Sequence, residues 1–247
     1  MKNTVIIIPT RLGAKRFPNK PLAKINNVPM IVHVLNKAKD SKVGDVWVAT
    51  PDNEIVEIVK KNRGKAVLTS LSHTSGSDRI YEVYDRELKN KNNFNLIINL
   101  QGDMPNIKPS SIQRLVKFMR NNNCDIGTLA SHFTNKEDIN NPNIVKVSTN
   151  QILENNNFLT TKDFFRTIDN SNIEKIYHHI GVYAFTKSAL EKYVNLPKSK
   201  LELERNLEQM RAMDNNLIIK VCLCDNNPLS VDTKDDLIKV SKEMINI

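Results

Sequence analysis

The residues best suited to chemistry in this sequence follow apolar runs. They are Pro9-Thr10-Arg11, Thr50-Pro51-Asp52, Ser75-Gly76-Ser77-Asp78-Arg79 and Gln101-Gly102-Asp103. If those runs are parallel strands, their carboxyl ends meet at one edge of a sheet, where open α/β proteins bind their ligands. Arginine, amide and carboxylate side chains gathered in one crevice are unusual in a purely structural domain. The pattern therefore predicts a binding site for a charged small molecule.

The first of these segments opens a basic loop that is rich in proline. The loop carries Arg11, Lys15, Arg16 and Lys20 within residues 9–22. Guanidinium and ammonium groups match phosphate and carboxylate oxygens, so the loop suits an anionic ligand. Taken alone, a solvated basic loop explains these residues equally well. The recurrence of polar loops further along the chain favours a binding site.

Two aspartates lie where strand-like runs end. Asp103 follows Gly102, which lets the backbone turn steeply, and Asp232 lies between the last strand-like run and the last helix-like run. Carboxylates of this kind hold Mg²⁺ in phosphoryl chemistry, with phosphate oxygens and water as the other ligands. The pair therefore predicts a metal site. The alternative for Asp232 is capping of the last helix, for which Thr233 is the other candidate.

The segment Ser75-Gly76-Ser77 is the nearest substitute for a phosphate-binding loop. The sequence has neither a G-x-G-x-x-G motif after the first strand nor a G-x-x-x-x-G-K-[ST] motif. Small residues at the start of a helix can bind an anion through backbone N–H groups. The ordinary alternative is that Ser75 or Ser77 only caps the helix.

The histidines and cysteines give no clear nucleophile or metal motif. His178 and His179 have no base or nucleophile at an obvious spacing, and a histidine so placed is more often packed than catalytic. Cys222 and Cys224 have no partner ligands, so packing in the core or an edge position is favoured over metal binding. With Cys124 they form an odd, sparse set, which indicates a reducing compartment rather than a disulfide framework.

Two patterns of elements position these residues. Before about residue 120, strand-like and helix-like runs alternate, which is typical of βαβ units and a parallel sheet. The strand-like runs are residues 4–8, 46–49, 66–68 and 96–100, and the helix-like runs are 30–39, 53–61, 77–88 and 109–119. Beyond residue 124 we expect strands at 126–133, 144–148, 151–158, 180–185 and 217–223, and helices at 188–193, 201–213 and 233–243. We therefore predict one α/β domain over residues 1–247, with a mostly parallel central sheet and a β-rich insertion of antiparallel strands over residues 124–185.

The composition and charge of the chain limit the classes of partner that it could bind. The chain has 247 residues and a formal net charge of +9, which would suit nucleic acid, a membrane surface or a small polyanion. The lysines are scattered among asparagines, with no basic run interleaved with aromatic residues, so we predict no nucleic-acid partner. The first apolar run is too short for a signal peptide or a membrane span. We expect a cytoplasmic protein that does not bind membranes.

Motifs along nearly the whole chain resemble the 3-deoxy-manno-octulosonate (Kdo) cytidylyltransferases, or CMP-Kdo synthetases. The family patterns I-P-A-R-L-x-S-x-R-L-P-x-K-P-L, H-x-S-G-T-D-R and Q-G-D-E-P are similar to residues 8–22, 73–79 and 101–105. The patterns N-P-N-x-V-K-V, H-I-G-I-Y-A-Y, L-E-x-x-E-x-L-E-Q-x-R and V-D-T-x-x-D-L are similar to residues 141–147, 179–185, 201–211 and 231–237.

The resemblance implies a nucleotide-diphospho-sugar-transferase-like sandwich that activates Kdo with CTP for lipopolysaccharide synthesis, releasing pyrophosphate. It also implies Mg²⁺ held by Asp103 and Asp232, and a homodimer in which the inserted β segment takes part. The implied nucleotide-binding residues are Arg11, Lys20, Ser75, Gly76, Asp78 and Arg79, and the implied catalytic residues are Asp103, Asp232 and Lys20. The residues implied to contact the sugar acid are Arg16, Gln101, His179, Tyr183, Glu208 and Gln209.

Two of these sugar-binding candidates lie in the predicted helix 201–213. Its apolar spacing puts Leu203, Leu207 and Met210 on the core face. Glu208 and Gln209 lie off that face, so we expect them to be available to a ligand rather than used in packing.

The sequence departs from the family pattern at a few positions. Ala14 replaces the loop serine, Met104 replaces the acidic residue after Gln-Gly-Asp, and Pro51 interrupts A-T-D-D. Residues 159–162 stand where the family has F-S-R, with Lys162 and no arginine. The close alternative is a cytidylyltransferase for another 2-keto sugar acid, of the amino-Kdo or sialic acid type. A different class, an RNA-binding or structural protein, would be retained on nucleic acid without turning over CTP.

Overall fold

The apolar run near the start of the sequence forms a fully buried strand. In the computed structural model, which describes residues 3–13, 16–90, 93–168 and 173–245, this strand is Thr4–Pro9 (β1). Residues 5–8 are 0% exposed. Strands inside a parallel sheet are covered on both faces, so they read as continuous apolar runs. The strand predicted at residues 4–8 is confirmed.

The elements alternate as the sequence predicts in the first half of the chain. In chain order the further strands are Lys24–Ile25 (β2), Val28–Pro29 (β3), Asp45–Thr50 (β4), Lys65–Leu68 (β5), Leu96–Asn99 (β6), Ile126–Ser131 (β7), Lys146–Thr149 (β8), Leu159–Phe165 (β9), Ile176–Thr186 (β10) and Ile219–Leu223 (β11). The α-helices are Met30–Asp40 (α1), Asn53–Lys61 (α2), Gly76–Val83 (α3), Pro109–Asn121 (α4), Lys187–Val194 (α5), Lys200–Arg205 (α6), Met210–Asp214 (α7) and Lys234–Ile245 (α8). Short helical turns lie at Lys20–Leu22, Tyr84–Leu88, Lys136–Ile139 and Ile173–Lys175.

Contacts divide the chain into two units. The first unit comprises Met1–Ile112 and Pro228–Ile247, and the second comprises Gln113–Asn227. These bounds differ from those of the predicted insertion at residues 124–185, which stays a prediction. None of the helices in the described part of the chain has both the length and the hydropathy needed to cross a bilayer.

The first unit contains a parallel sheet with the strand order β5-β4-β1-β6. Helices connect its strands along the chain, which is the α/β arrangement that the alternating pattern predicts. A small antiparallel hairpin of β2 and β3 follows the basic loop. Asn27, between these two strands, has a φ of 66°, a left-handed conformation that asparagine tolerates well.

The second unit is mostly antiparallel, and its strand pairings form a closed ring. Strand β10 pairs with β7 and β8, β8 pairs with β9, and β9 pairs with β11, all antiparallel. The ring closes through β11 and β7, which are parallel. Strand β10 carries an irregularity between Ile180 and Tyr183, where its register with β7 shifts.

The strand predicted at residues 151–158 is wrong, because that segment is irregular and β9 begins only at Leu159. The side chain of Asn157 forms hydrogen bonds with nearby backbone groups. Its Oδ1 accepts from Glu154 N at 2.9 Å, and its Nδ2 donates to Ile152 O at 3.2 Å. Asparagine side chains that bind nearby backbone in this way compete with strand pairing.

The single helix predicted at residues 201–213 is also wrong, because the chain breaks it into α6 and α7. Asn206 adopts a left-handed conformation with a φ of 51° and ends α6. Leu207 N then bonds Glu202 O at 3.2 Å, which is a helix-ending turn. Leu207 and Met210 are buried as predicted, whereas Leu203 is 64% exposed and does not pack in the core.

Candidate active site

A cavity of about 230 Å³ lies in the first unit, beside the residues that follow β1 and β6. Its walls include most of the predicted nucleotide-binding residues. The lining residues are Pro9, Thr10, Arg11, Lys20, Pro21, His73, Thr74, Ser75, Gly76, Arg79, Gln101, Gly102 and Asp103. The structure thus brings together three of the four polar segments that the sequence places after separate strands, whereas residues 50–52 are not among the described lining residues. Ala14 and Lys15 of the basic loop lie outside the described residues.

The loops meet closely because Gly102 has no side chain. A Cβ at this position would lie 3.1 Å from both Cβ and Oγ1 of Thr10, and 3.2 Å from Pro9 O. A Cβ at Gly76 would lie 3.3 Å from Pro9 Cγ and 3.5 Å from Gln101 Nε2. The two glycines therefore allow the loops after β1 and β6 and the start of α3 to share one small space.

An apolar anchor positions the basic loop. Phe17, in the middle of the loop, packs in a buried cluster with Ile25, Met30, Val231 and Val240. Because Val231 directly precedes Asp232, this packing brings the loop beside the last acidic residue of the site. Val231 N also donates to the backbone oxygen of Asp103 at 3.0 Å, so the two aspartates are held side by side.

Lys20 joins both predicted metal ligands. Its Nζ lies 2.9 Å from Asp103 Oδ2 and 3.2 Å from Asp232 Oδ1, and Arg16 Nη2 lies 3.0 Å from Asp232 Oδ2. Burial disfavours the ammonium, but the two carboxylates outweigh it and raise the pKa of Lys20. The four side chains form a balanced cluster of two cations and two anions.

The carboxylates have the chemistry that Mg²⁺ requires. Asp103 Oδ1 is buried and has no hydrogen-bond partner among the described residues, which leaves one hard oxygen ready for a ligand. Within the described ranges there is no group of three or more His, Cys, Asp or Glu that could hold a metal by itself. Two carboxylates completed by substrate phosphate and water are nevertheless the usual arrangement for Mg²⁺, so the residues present fit the ion.

Asp232 does not cap the last helix through its side chain. The Thr233 hydroxyl accepts from Asp236 N at 3.2 Å, and the Asp236 carboxylate accepts from Thr233 N at 2.9 Å. This reciprocal pair is a capping box, with Thr233 as the capping residue. The alternative left open by the sequence is thereby resolved, and the Asp232 carboxylate faces Lys20 and Arg16 instead.

The start of α3 is an ordinary cap that also lines the cavity. Ser75 Oγ accepts from Asp78 N at 3.1 Å. Arg79 is buried, and its Nη1 donates to Thr69 Oγ1 at 2.5 Å and to Ser70 O at 3.1 Å. Burial, together with the charge of Arg11, lowers the pKa of Arg79. Arg79 thus fixes the preceding loop while it contributes to the cavity wall.

Two carboxylates hold loops beside the cavity. Asp52 Oδ2 accepts from Leu12 N at 2.8 Å and so fixes the basic loop. Glu82 Oε2 accepts from Ser70 N at 2.8 Å and pairs with His73 Nε2 at 2.5 Å. The sequence indicates Asp52 by its place after an apolar run and by the family's A-T-D-D pattern, whereas no motif indicates Glu82. Gln101, predicted for the sugar acid, donates through Nε2 to Asn99 Oδ1 at 2.9 Å.

In the second unit, His179 is a buried neutral imidazole. The Thr128 hydroxyl donates its single proton to Val182 O at 2.8 Å, so the contact of 2.9 Å between Thr128 Oγ1 and His179 Nε2 requires the imidazole to donate. Burial, with a smaller contribution from His178, lowers the pKa of His179 to about 3. The Nε2–H tautomer leaves Nδ1 as the hydrogen-bond acceptor.

Tyr183 and Glu208 lie close enough to interact. The ring centroids of His179 and Tyr183 are 5.5 Å apart. Burial, then the negative charge of Glu208, raises the pKa of Tyr183. The phenol therefore stays protonated at neutral pH and can donate a hydrogen bond. These side chains give the second unit a polar group made of the predicted sugar-binding residues.

A buried ion pair supports the segment that carries Glu208 and Gln209. Arg211 donates from Nε to Glu202 Oε2 at 2.8 Å and from Nη2 to Glu202 Oε1 at 2.6 Å. Tyr193 Oη donates to Glu208 O at 2.8 Å. Contrary to the expectation that it is not used in packing, Gln209 is 7% exposed, because the break at Asn206 turns it inward.

A larger cavity of about 690 Å³ also lies within the second unit. Its walls are mostly polar and charged: Ser148, Thr149, Asn150, Lys162, Asp163, Phe165, Arg166, Thr167, Lys175, Ile176, Glu204 and Arg205. The predicted site residues are not among these described lining residues. Met104, a departure from the family motif, is buried in the first unit and 6% exposed.

The sequence matches the family described as Cytidylyltransferase over residues 5–220. It is 41% identical over 238 residues to a 3-deoxy-manno-octulosonate cytidylyltransferase of Bartonella bacilliformis, covering 96% of this chain and 97% of the relative. It is 39% identical over 257 residues to a protein of the same description from Thermodesulfovibrio yellowstonii, covering 98% of both chains.

Solved structures agree with these relatives. One described as a CMP:2-keto-3-deoxy-manno-octonic acid synthetase complexed with CTP superposes with a TM-score of 0.88 at 34% identity, covering 98% of both chains. A 4-diphosphocytidyl-2C-methyl-D-erythritol synthase from Anaerococcus prevotii superposes with a TM-score of 0.66 at 14% identity, again covering 98% of both chains. The second likeness extends the α/β nucleotidyltransferase fold beyond close relatives.

Proposed function

The chain belongs to the family of 3-deoxy-manno-octulosonate cytidylyltransferases, and from this premise we propose which of its residues serve each substrate. It is an enzyme that activates Kdo with CTP to give CMP-Kdo and pyrophosphate, in the pathway to lipopolysaccharide. The observation that carries the assignment of the reacting centre is the cluster of Lys20, Asp103 and Asp232 at the cavity of the first unit.

The cavity of the first unit would bind the nucleotide. Arg11 and Lys20 provide positive charge to the triphosphate, and Ser75 and Gly76 present the start of α3 to it. Asp78, predicted with them, is not among the described lining residues, and its backbone N–H donates to Ser75 Oγ. A helix start of this kind offers backbone N–H groups to an anion. Arg79 would add charge from the wall, although its direct hydrogen bonds go to Thr69 and Ser70.

Asp103 and Asp232 would hold Mg²⁺. Their support is the unpartnered Asp103 Oδ1 and the backbone hydrogen bond from Val231, the residue before Asp232, to Asp103, which places the two aspartates side by side. When bound, the ion would neutralise charge on the phosphate oxygens. The anomeric hydroxyl of the sugar acid attacks the α-phosphorus in line, so the protein acts mainly by orienting the two substrates and neutralising charge.

The sugar acid would be bound by Arg16, Gln101, His179, Tyr183, Glu208 and Gln209. The tautomer of His179 supports a defined role, since its Nδ1 can accept from a sugar hydroxyl while Thr128 holds the other nitrogen. Tyr183 would donate, because its phenol stays protonated. Arg16 would pair with the carboxylate of the sugar acid, and that carboxylate would compete with Asp232 for the Arg16 guanidinium.

We also propose a homodimer in a reducing, cytoplasmic setting. The dimer rests on the family resemblance. The location is supported by the cysteines, since Cys124, Cys222 and Cys224 form no disulfide.

The test of the proposed function is pyrophosphate release with CTP, Mg²⁺ and a panel of sugar acids. We expect turnover with Kdo at a higher kcat/KM than with an amino-Kdo or a sialic acid. Preference for either of those acids would move the assignment to the alternative 2-keto sugar acid. Retention on nucleic acid without turnover of CTP would contradict the enzymatic function altogether.

A further inference from the structure

Both carboxylates proposed to bind the metal already pair with a cation of the chain itself. Lys20 Nζ lies between Asp103 Oδ2, at 2.9 Å, and Asp232 Oδ1, at 3.2 Å. Only 13% of the Lys20 side chain is exposed. Asp103 Oδ1 has no partner among the described residues, but both oxygens of Asp232 are paired with cations. A divalent ion that bridged the two carboxylates would therefore have to displace a cation from Asp232, so the Lys20 ammonium and the metal compete for one place.

The cluster is electrically complete before any ligand binds. Arg16 Nη2 occupies the second oxygen of Asp232 at 3.0 Å, so two cations face two carboxylates. A metal ion entering alone would lie next to the Lys20 ammonium, and like charges a few ångströms apart repel strongly in a partly buried site. The described arrangement therefore disfavours metal binding in the absence of another anion.

A triphosphate supplies that anion in the same cavity. Lys20 lines the cavity together with Arg11, Ser75 and Gly76, so the flexible lysine stem can turn its ammonium toward a bound phosphate without moving the backbone. The carboxylates that it leaves are then free to accept the divalent ion that accompanies the nucleotide.

We propose that the Lys20 ammonium takes the place of the metal ion, and that it leaves Asp103 and Asp232 only when a triphosphate binds. Metal loading is then coupled to nucleotide binding, and the enzyme does not hold a divalent ion between turnovers. This inference rests on the proposed roles of Asp103 and Asp232 as metal ligands and of Lys20 as a triphosphate ligand.

The experiment is a titration of the whole protein with Mn²⁺ in the absence of nucleotide, in which electron paramagnetic resonance monitors the bound ion. The variant Lys20→Met should bind Mn²⁺ about tenfold more tightly than the wild type, since the competing ammonium is gone. Lys24→Met is the matched control, because Lys24 is an exposed lysine of β2 outside the cavity. The control should bind Mn²⁺ as weakly as the wild type.

Two further variants and a series of thermal melts test the same competition between Lys20 and the metal ion. Adding Asp103→Asn to Lys20→Met should abolish the gained affinity, which excludes an unrelated surface site. Lys20→Gln, which keeps a hydrogen-bond donor, serves if Lys20→Met does not fold. In thermal melts without nucleotide, Mg²⁺ should raise the Tm of the Lys20 variant by more than that of the wild type.

Two results would overturn the proposal, and they are distinguishable. If the wild type with a non-hydrolysable CTP analogue binds Mn²⁺ through Asp103, but Lys20→Met shows no gain without nucleotide, the substitution by Lys20 is wrong and the metal assignment stands. If neither protein binds Mn²⁺ under either condition, the metal assignment in the proposed function fails as well.

Discussion

Thr233 and Asp236 cap the start of α8 through two reciprocal hydrogen bonds, so the cap does not use the side chain of the neighbouring Asp232. Thr233→Ala should lower the free energy of unfolding by about 1 kcal/mol, the usual cost of a lost cap, and leave kcat near that of the wild type. Asp232→Asn should leave the free energy of unfolding near that of the wild type and cause a large loss of turnover. Urea unfolding and pyrophosphate release on both variants check this pair. Equal losses of turnover in the two variants would contradict the separation.

Asp103→Asn should keep the fold and lower kcat by at least about a hundredfold, or about 2.7 kcal/mol. The physical reason is that the variant loses the charge of the proposed metal ligand whose Oδ1 has no described partner. The measurement is kcat at saturating Mg²⁺, with circular dichroism to verify folding. A kcat near that of the wild type would remove Asp103 from the metal site.

Gln209→Ala should weaken binding of the sugar acid roughly ten- to hundredfold, or about 1–3 kcal/mol, and leave CTP binding intact. A buried site that loses an amide leaves the partner hydroxyl of the sugar unpaired. Titration of Kdo in the presence of a non-hydrolysable CTP analogue measures the effect. The matched control is Leu203→Ala, since Leu203 is 64% exposed and should not alter the affinity for Kdo. Equal Kdo affinities in all three proteins would show that this segment does not contact the sugar.

Arg211→Met should lower the free energy of unfolding by about 3–5 kcal/mol, because it leaves the buried Glu202 carboxylate without its cationic partner. The exposed pair of Lys200 and Glu204, at 3.7 Å, provides the comparison. Lys200→Met should cost less than about 1 kcal/mol, since solvent screens that pair. Urea unfolding measures both. A loss below 1 kcal/mol for Arg211→Met would mean that the ion pair is not a support of the segment 206–209.

The stabilising effect of Glu82 should disappear in acid. Burial works to raise its pKa, but Ser70 N, His73 and Arg86 outweigh burial and lower it below the ordinary value of 4.5. A carboxyl with a lowered folded-state pKa stabilises the protein above its unfolded-state pKa, and this contribution is lost as the pH falls through the folded-state value. The difference in unfolding free energy between wild type and Glu82→Gln should therefore be largest above pH 4.5 and shrink below it. A constant difference across that range would contradict the assignment.

The sequence predicts the parts of the fold whose signal is local. The β-branched run of residues 5–8 identifies β1 because complete burial demands apolar residues at consecutive positions. Gly102 and Asp103 are recognisable because a glycine at a strand end marks a steep turn. The family motifs then supply the residues that composition and spacing alone leave ambiguous, such as Tyr183.

The features that the sequence does not predict depend on contacts between distant residues or on single backbone conformations. The pairing of Lys20 with Asp232 joins positions 212 residues apart, and no periodic pattern records such a contact. Asn206 breaks a helix because of one left-handed residue, which an apolar spacing cannot reveal. Glu82 holds a loop through the backbone N–H of Ser70, which any residue type except proline would offer there.

The ring of strand pairings in the second unit also bears on association in concentrated solution. Each of β7, β8, β9, β10 and β11 has paired neighbours on two sides, so this unit presents few unpaired strand groups to another chain. In the first unit, within the described ranges, β5 pairs only with β4, but it is four residues long and begins with Lys65. Short strands and edge lysines resist addition of a further strand. The fold thereby disfavours aggregation through the strands of the second unit, by ring closure, and through the β5 edge of the first unit, by its short length and its lysine.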